Sequence, residues 1–229
     1  MKIMKPIFVT VMLGLVAGCA TTGARRPGGQ TEAQEMRENE EMILSASPAA
    51  ANLSDLLFEG STRKDAKLTM VTASGASYTS ITAVTTLPKP AVNSTSPRTG
   101  VETNLATFSA WVYAYNLPDD NDFHIIIGDT ATFQAGATHL INIEVSGRPN
   151  SSDTTFKAVR VAFLNLIGNP STMSHNTYTC VATPFVITVS GGPFWDTSHP
   201  SGGSGTSTCP GGTVKTSNGW ELHPVTAIN

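Results

Sequence analysis

Thr107-Phe108-Ser109-Ala110-Trp111-Val112-Tyr113-Ala114-Tyr115, followed by Phe123-His124-Ile125-Ile126-Ile127-Gly128, is the stretch that decides the fold. Phe108, Ala110, Val112 and Ala114 fall on one face, and Trp111, Tyr113 and Tyr115 on the other. Period-two alternation rich in aromatic and β-branched residues predicts a strand with one face in a core. Leu117-Pro118-Asp119-Asp120-Asn121-Asp122 supplies the turn to a second strand at 123–128. A third strand is expected over 139–146, with Ile141, Ile143 and Val145 on one face and Asn142 and Glu144 on the other.

Gly147-Arg148-Pro149-Asn150 breaks this pattern. Phe156, Val159, Phe163, Leu166 and Ile167 then fall at helical spacing, with Ser151, Ser152 and Asp153 as caps and Gly168 as the stop. Phe185 to Ser190 predicts a fourth strand ending at Gly191-Gly192, and Trp220 to Ile228 a fifth. Three strands, a helix and two strands is the order of a five-stranded OB-like Greek-key barrel, so the expected class is all-β with one short helix. Val159, Val161 and Phe163 also alternate, which leaves a β-sandwich as the alternative. Upstream, residues 68–86 read as strand with turns, and Pro88, Pro90 and Pro97 mark an extended connector.

At the start, Lys2 and Lys5 precede an apolar run from Ile7 to Ala17 that is too short to span a membrane. Val16-Ala17-Gly18-Cys19 resembles the bacterial lipobox, which implies cleavage before Cys19 and lipid on its sulfur. Two or more acyl chains suffice for stable anchoring. Ala20 behind the cysteine resembles the outer-membrane sorting signal of Gram-negative lipoproteins. The expected organisation is a signal peptide at 1–18, a lipidated flexible tether at 19–50 and a β-barrel domain at 51–229, best defined over 95–229. The expected location is the cell envelope.

The chain has 14 Lys and Arg against 17 Asp and Glu, a net charge of −3. That balance argues against nucleic acid as a partner, because the phosphate backbone is bound by displacing counterions with Lys and Arg. The expected partners are the membrane, through the lipid, and a ligand or protein of the envelope. Cys180 and Cys209 remain after lipidation, and an oxidising compartment favours a disulfide between them.

Candidate chemistry lies at strand ends and turns, in Arg98, Glu102, Asp120, Asp122, His124, Glu144, Asp196, His199, Glu221 and His223. Glu221 and His223 are two apart on a strand and share a face, as do Asp122 and His124. If those faces meet, Asp122, His124, Glu221 and His223 form a donor set suited to a divalent metal, and His124, Glu144, Glu221 and His223 become candidate catalytic groups. The bland reading is a network of His–carboxylate pairs, with Arg98 and Glu102 as a simple ion pair. Trp111, Tyr113 and Tyr115 are expected to pack beneath the strands at 68–86 or the helix, with an exposed binding face that stacks on bases or sugars as the alternative. No HExxH, P-loop or GxSxG is present, and Ser204, in a Gly/Ser loop, has no triad neighbour. No cofactor signature appears. These absences favour a non-enzymatic module over a divalent-metal hydrolase or nuclease.

Asp120-Asn121-Asp122-Phe123-His124 with Ile143-Glu144, Asp196-Thr197-Ser198-His199 and Glu221-Leu222-His223-Pro224-Val225 resembles an uncharacterised bacterial domain family with a "DxDxH … ELHPV" pattern. Arg98 to Glu102 matches an "RxxxE" element upstream of its first strand. The resemblance covers about 95–229 and implies a domain type without a reaction. The Cys180/Cys209 loop departs from the pattern.

Overall fold

A computed structural model describes residues 52–72, 75–175, 177–203 and 207–229. The signal, Cys19 with its lipobox, the whole tether at 19–50 and Ser204 lie outside them. The fold is mostly β, built on one mixed sheet, with few helices. Among the described residues there are eight strands: β1 (Ala76–Tyr78), β2 (Leu105–Asn116), β3 (Phe123–Gly128), β4 (Leu140–Val145), β5 (Thr179–Trp195), β6 (Thr208–Cys209), β7 (Gly212–Thr213) and β8 (Trp220–Ile228). Six form the sheet, in the order β1-β2-β3-β4-β8-β5, and β6 and β7 make a separate hairpin. β2 also pairs with β5, so the pairings β2-β3-β4-β8-β5 return to β2. All ring pairings are antiparallel except β4 with β8, which is parallel.

The sheet thus has six strands where five were expected. The sixth is the short β1, lying parallel to the start of β2. The described residues of 68–86 supply that strand and a helix, α2 (Ile81–Thr85). Ser80 caps it by accepting the N–H of Ala83 at 3.1 Å. A further short helix, α1 (Lys64–Lys67), precedes both. The expected long helix is present as α3 (Thr155–Leu166), where Phe156, Val159, Phe163 and Leu164 are buried. The Asp153 carboxylate accepts the N–H of Phe156 at 2.8 Å and starts it, and Gly168 follows it at φ +84°.

β5 extends well past Gly191-Gly192, where the sequence predicted its end. It pairs with β2 up to Gly191 and with β8 from Val189 to Trp195, with register shifts between Ser190 and Pro193. The glycine pair is the corner that lets one strand serve two neighbours. A Cβ on Gly191 would lie 2.9 Å from the Pro224 carbonyl oxygen, and one on Gly192 2.4 Å from Val71.

The main core is formed by Phe108, Ala110, Val112, Ile125, Ile127, Ile141, Ile143, Phe163, Val189 and Leu222 with their neighbours. A second, smaller core lies elsewhere against β2, β3 and β4. It contains Tyr113, Ala114, Ile126, Leu140, Phe133, Cys209 and Val214. A disulfide joins Cys180 to Cys209, fastening the β6–β7 hairpin to β5.

The register shift between Val112 and Ala114 divides the aromatic face predicted for β2. Tyr113 enters the second core and meets Phe133 at 5.4 Å between ring centres. Tyr115 packs edge-on against Phe163 of α3 at 5.9 Å. Trp111 is half-buried beside the second core. The three are therefore packing residues and present no common stacking surface.

A strap at 52–72 precedes β1 and is bonded to the turn before β3 and the segment after β4. Phe58 donates its N–H to the Arg148 carbonyl at 2.9 Å, Arg148 returns its own to Leu56 at 2.9 Å, and Glu59 donates to Asp120 at 3.0 Å. The backbones approach so closely at Gly147 that a Cβ there would lie 2.6 Å from the Phe58 nitrogen.

Candidate functional site

β3, β4 and β8 are neighbours, and their register aligns His124 with Glu144 and Asn142 with Glu221. Alternation along each strand then sends the polar side chains to one side. Glu144 is the hub. Its Oε1 lies 2.9 Å from His124 Nε2, and its Oε2 lies 2.5 Å from His223 Nδ1 and 3.5 Å from Lys67 Nζ. Asn142 donates Nδ2–H to Glu144 at 2.8 Å and to Glu221 at 3.4 Å. Glu221 Oε1 is 3.3 Å from His223 Nδ1. On the other edge of the ring, His223 Nε2 is 2.7 Å from Ser146 Oγ and 3.3 Å from Asp122 Oδ2. Gly147 donates its N–H to Asp122 Oδ1 at 2.7 Å, while Asp122 Oδ2 is buried without a hydrogen-bond partner.

Burial sets the charges. It drives the pKa of His223 down to about 4, with Lys67 and Arg98 adding to the fall against the pull of Glu144. The imidazole is therefore neutral at pH 7, with its proton on Nδ1 facing the carboxylates and Nε2 accepting from Ser146. Burial and the neighbouring Asp120 and Glu144 raise Asp122 to about 8. Burial, Glu144 and Asp196 raise Glu221 well above the carboxylate range. Burial opposes charge on Glu144 too, but His124, Lys67 and His223 overcome it and hold its pKa well below that range. Lys67 keeps its proton because Glu144, Glu221 and Asp122 outweigh its burial. His124 is raised for the same kind of reason, burial being overcome by Glu144 and Asp120. Within this cluster Glu144 is therefore the carboxylate held ionised, beside Lys67, while burial favours the neutral forms of Asp122 and Glu221.

The outer edge of this cluster opens into a cleft of about 130 Å³, lined by Lys67, Asp120, His124, Glu144, Asp196 and His199 among others. At roughly 30 Å³ per water, it admits a small polar group and no drug-sized molecule. On its rim His199 Nδ1 lies 2.5 Å from Asp196 Oδ2, and Asp196 Oδ1 accepts the N–H of Ser198 at 2.8 Å. Of three larger cavities, two of about 270 and 260 Å³ flank the β6–β7 hairpin and one of about 270 Å³ is lined by strap residues around Arg63 and by Ser94 to Pro97; none is lined by the cluster.

The structure therefore brings Asp122, His124, Glu144, Glu221 and His223 into one contact network, with Asp120, Asp196 and His199 at its mouth. Arg98 and Glu102 do not form the expected ion pair. Arg98 donates to the backbone carbonyls of Ala66, Glu102 and Pro193, each at 2.9 Å. The Glu102 carboxylate is held instead by Arg63 of the strap, through two bonds of 2.7 Å. It also accepts the N–H of Trp195 at 2.9 Å, and both Arg63 and Glu102 side chains are fully buried. The Arg63 guanidinium lies 4.4 Å from the centre of the Phe194 ring, which on its other contacts meets His223 at 5.4 Å.

Sequence reasoning missed Lys67, Arg63, Asn142, Ser146 and Arg160. The last is fully buried and donates to the carbonyls of Leu53, Asn121 and Val145. A basic residue bound for the interior carries no mark in an isolated sequence.

Asp122, Glu144 and His223 offer ligand atoms that all lie within 4.8 Å of one another, so this buried group can hold a metal ion. It differs from the donor set expected from sequence, since Glu144 replaces His124 and Glu221. No family model, curated protein or solved structure matches the chain.

Proposed function

We propose that this chain is a lipid-anchored protein of the cell envelope, held through Cys19, whose domain is an OB-like Greek-key barrel that binds a small polar ligand or partner at its mouth and carries out no reaction. The ring of pairings, the parallel β4–β8 contact and the helix between the third and fourth ring strands support the barrel reading. The meeting of Asp122, His124, Glu144, Glu221 and His223 in one network, with Asp120, Asp196 and His199 at its cleft, supports the "DxDxH … ELHPV" domain type.

One observation carries the non-catalytic reading. The Lys67 ammonium sits 3.5 Å from Glu144, inside the carboxylate cluster. A buried anion needs a compensating cation, and the chain supplies its own. The purified protein should therefore keep its melting temperature when zinc, manganese or calcium is added, because only an ion that binds the native state raises it. A rise of several degrees would overturn the reading. Lipid anchoring is tested by Cys19→Ser, which should release the protein from membranes.

The second reading is a divalent-metal hydrolase, favoured by the spacing of Asp122, Glu144 and His223. Two details count against that trio as a ready site. Glu144 and Asp122 engage opposite nitrogens of the same imidazole, so the ring stands between them. The nearby ammonium also repels an incoming cation.

A further inference from the structure

We infer that the cleft beside the cluster takes a small zwitterion the size of glycine or alanine, with its carboxylate on Lys67 and His124 and its ammonium on Asp120. This deepens the ligand-binding reading above and rests on it.

The inner wall of the cleft supplies donors. Lys67 is 9% exposed, and among the described residues its ammonium makes one hydrogen bond, to Glu144 Oε2 at 3.5 Å. An ammonium carries three N–H donors. Two of them are therefore without a protein acceptor, on a buried side chain that lines the cleft. Leaving such donors unbonded is costly, and a carboxylate oxygen is the acceptor they bond most strongly. His124 lines the same cleft. Its Nε2 faces Glu144 Oε1 at 2.9 Å, and among the described residues its Nδ1 meets no protein partner. Burial of that ring is overcome by Glu144 and Asp120, which favour the imidazolium.

The mouth supplies acceptors. Asp120 Oδ1 accepts the N–H of Asp122 at 3.3 Å, and among the described residues Oδ2 has no partner. Asp196 adds a second carboxylate, already engaged by Ser198 and His199.

Charge and size then select the ligand. Lys67 and His124 stand against the carboxylates of Glu144, Asp120 and Asp196. A plain anion would meet three carboxylates, and a plain cation would meet the ammonium and the imidazolium. A molecule that carries both charges adds no net charge and presents each to its opposite. The cleft of about 130 Å³ has room for about four waters. Glycine or alanine fills that space, and a longer side chain would have to leave through the mouth.

The test titrates glycine and L-alanine into the purified full chain by calorimetry near neutral pH, with acetate and methylammonium as their charged halves. Glycine and alanine should bind at least about tenfold more tightly than either half, since each half forgoes one charge-assisted set of bonds. Asp120→Asn keeps the Oδ1 acceptor for the Asp122 N–H and removes the charge. It should weaken glycine about tenfold and bring glycine and acetate to similar affinities. Lys67→Met should lose both ligands. If K67M fails to fold by circular dichroism, D120N alone decides. Acetate or methylammonium binding as tightly as glycine overturns the zwitterion and leaves the small-ligand reading standing. Glycine affinity unchanged in D120N places the ligand elsewhere and overturns the inference. If none of the four binds, the inference falls alone, because the wider reading falls only with a rise in melting temperature on adding metal.

Discussion

The strap at 52–72 and the hairpin at 207–214 are both fastened to the sheet, yet by different forces. The strap is held by charge and backbone hydrogen bonds: Arg63 on Glu102, Lys67 on Glu144, and Leu56, Phe58 and Glu59 bonded to Arg148 and Asp120. The hairpin is held by the Cys180–Cys209 disulfide and a small apolar core around Phe133, Tyr113 and Val214. An apolar cover closes a surface and asks nothing of the residues beneath it. A polar cover demands buried partners, and burying those partners moves the ionisation of every group near them. The chemistry therefore lies under the strap, while the cavities beside the hairpin gather no comparable network.

The sharpest way to break this contrast is Glu102→Ala. It leaves the fully buried Arg63 guanidinium without its counter-charge and strips a partner from the Trp195 N–H. Removing one member of a buried ion pair costs about 3–5 kcal/mol, and that loss should appear in urea unfolding. Removing the disulfide as Cys180→Ser with Cys209→Ser should cost somewhat less. The two cysteines are 29 residues apart, and opening a loop of that length is worth about 3–4 kcal/mol. The two losses should differ in kind as well as size. The disulfide variant should keep the wild-type pH dependence of stability, because its hairpin touches no group of the cluster. If it shifted that dependence, the separation of the two covers would fail.

How far each cover could be read beforehand follows the same division. Alternation in β2, β3 and β4 places Phe108, Ile125, Ile127, Ile141 and Ile143 in the core, because apolar periodicity is a direct consequence of which face is buried. The i, i+2 rule put Glu221 beside His223 for the same reason. The Cys180–Cys209 pairing was also accessible, since only three cysteines are present and the first lies in the expected lipobox. The strap was not. Leu53 to Leu68 carries Asp55, Glu59, Arg63, Lys64, Asp65 and Lys67, a composition that reads as solvated surface. Only the fold shows that Arg63 and Lys67 reach carboxylates 39 and 77 residues away. Arg98 and Glu102 were read as a pair because they are near in sequence, and long-range burial assigned Glu102 to Arg63. That the β2 aromatics pack was foreseen, but their division between two cores was not, because period-two counting cannot see the register shift after Val112.

The smallest effect, and the one that isolates the polar side, is the pH dependence of Asp122. Its carboxyl is raised from 3.8 to about 8, so between these values the folded protein holds a proton that the unfolded chain has released. Its contribution to stability is full below pH 4 and falls as pH rises towards 8. His223, lowered from 6.5 to about 4, acts in the opposite sense, losing its contribution as pH falls from 6.5 to 4. The two slopes oppose each other up to pH 6.5. Above that His223 is neutral in both states, and Asp122 pulls stability down alongside the raised Glu221 and His124. One retained proton gives a slope of at most about 1.4 kcal/mol per pH unit. Asp122→Asn mimics the protonated acid in shape and cannot titrate. Unfolding in urea from pH 6.5 to 8 should therefore show a shallower fall for D122N than for wild type, by up to that amount. Identical slopes would mean that Asp122 is already ionised in the folded protein. The neutral interior inferred around His223 would then have to be redrawn with two adjacent buried anions and Lys67 as their nearest fixed cation.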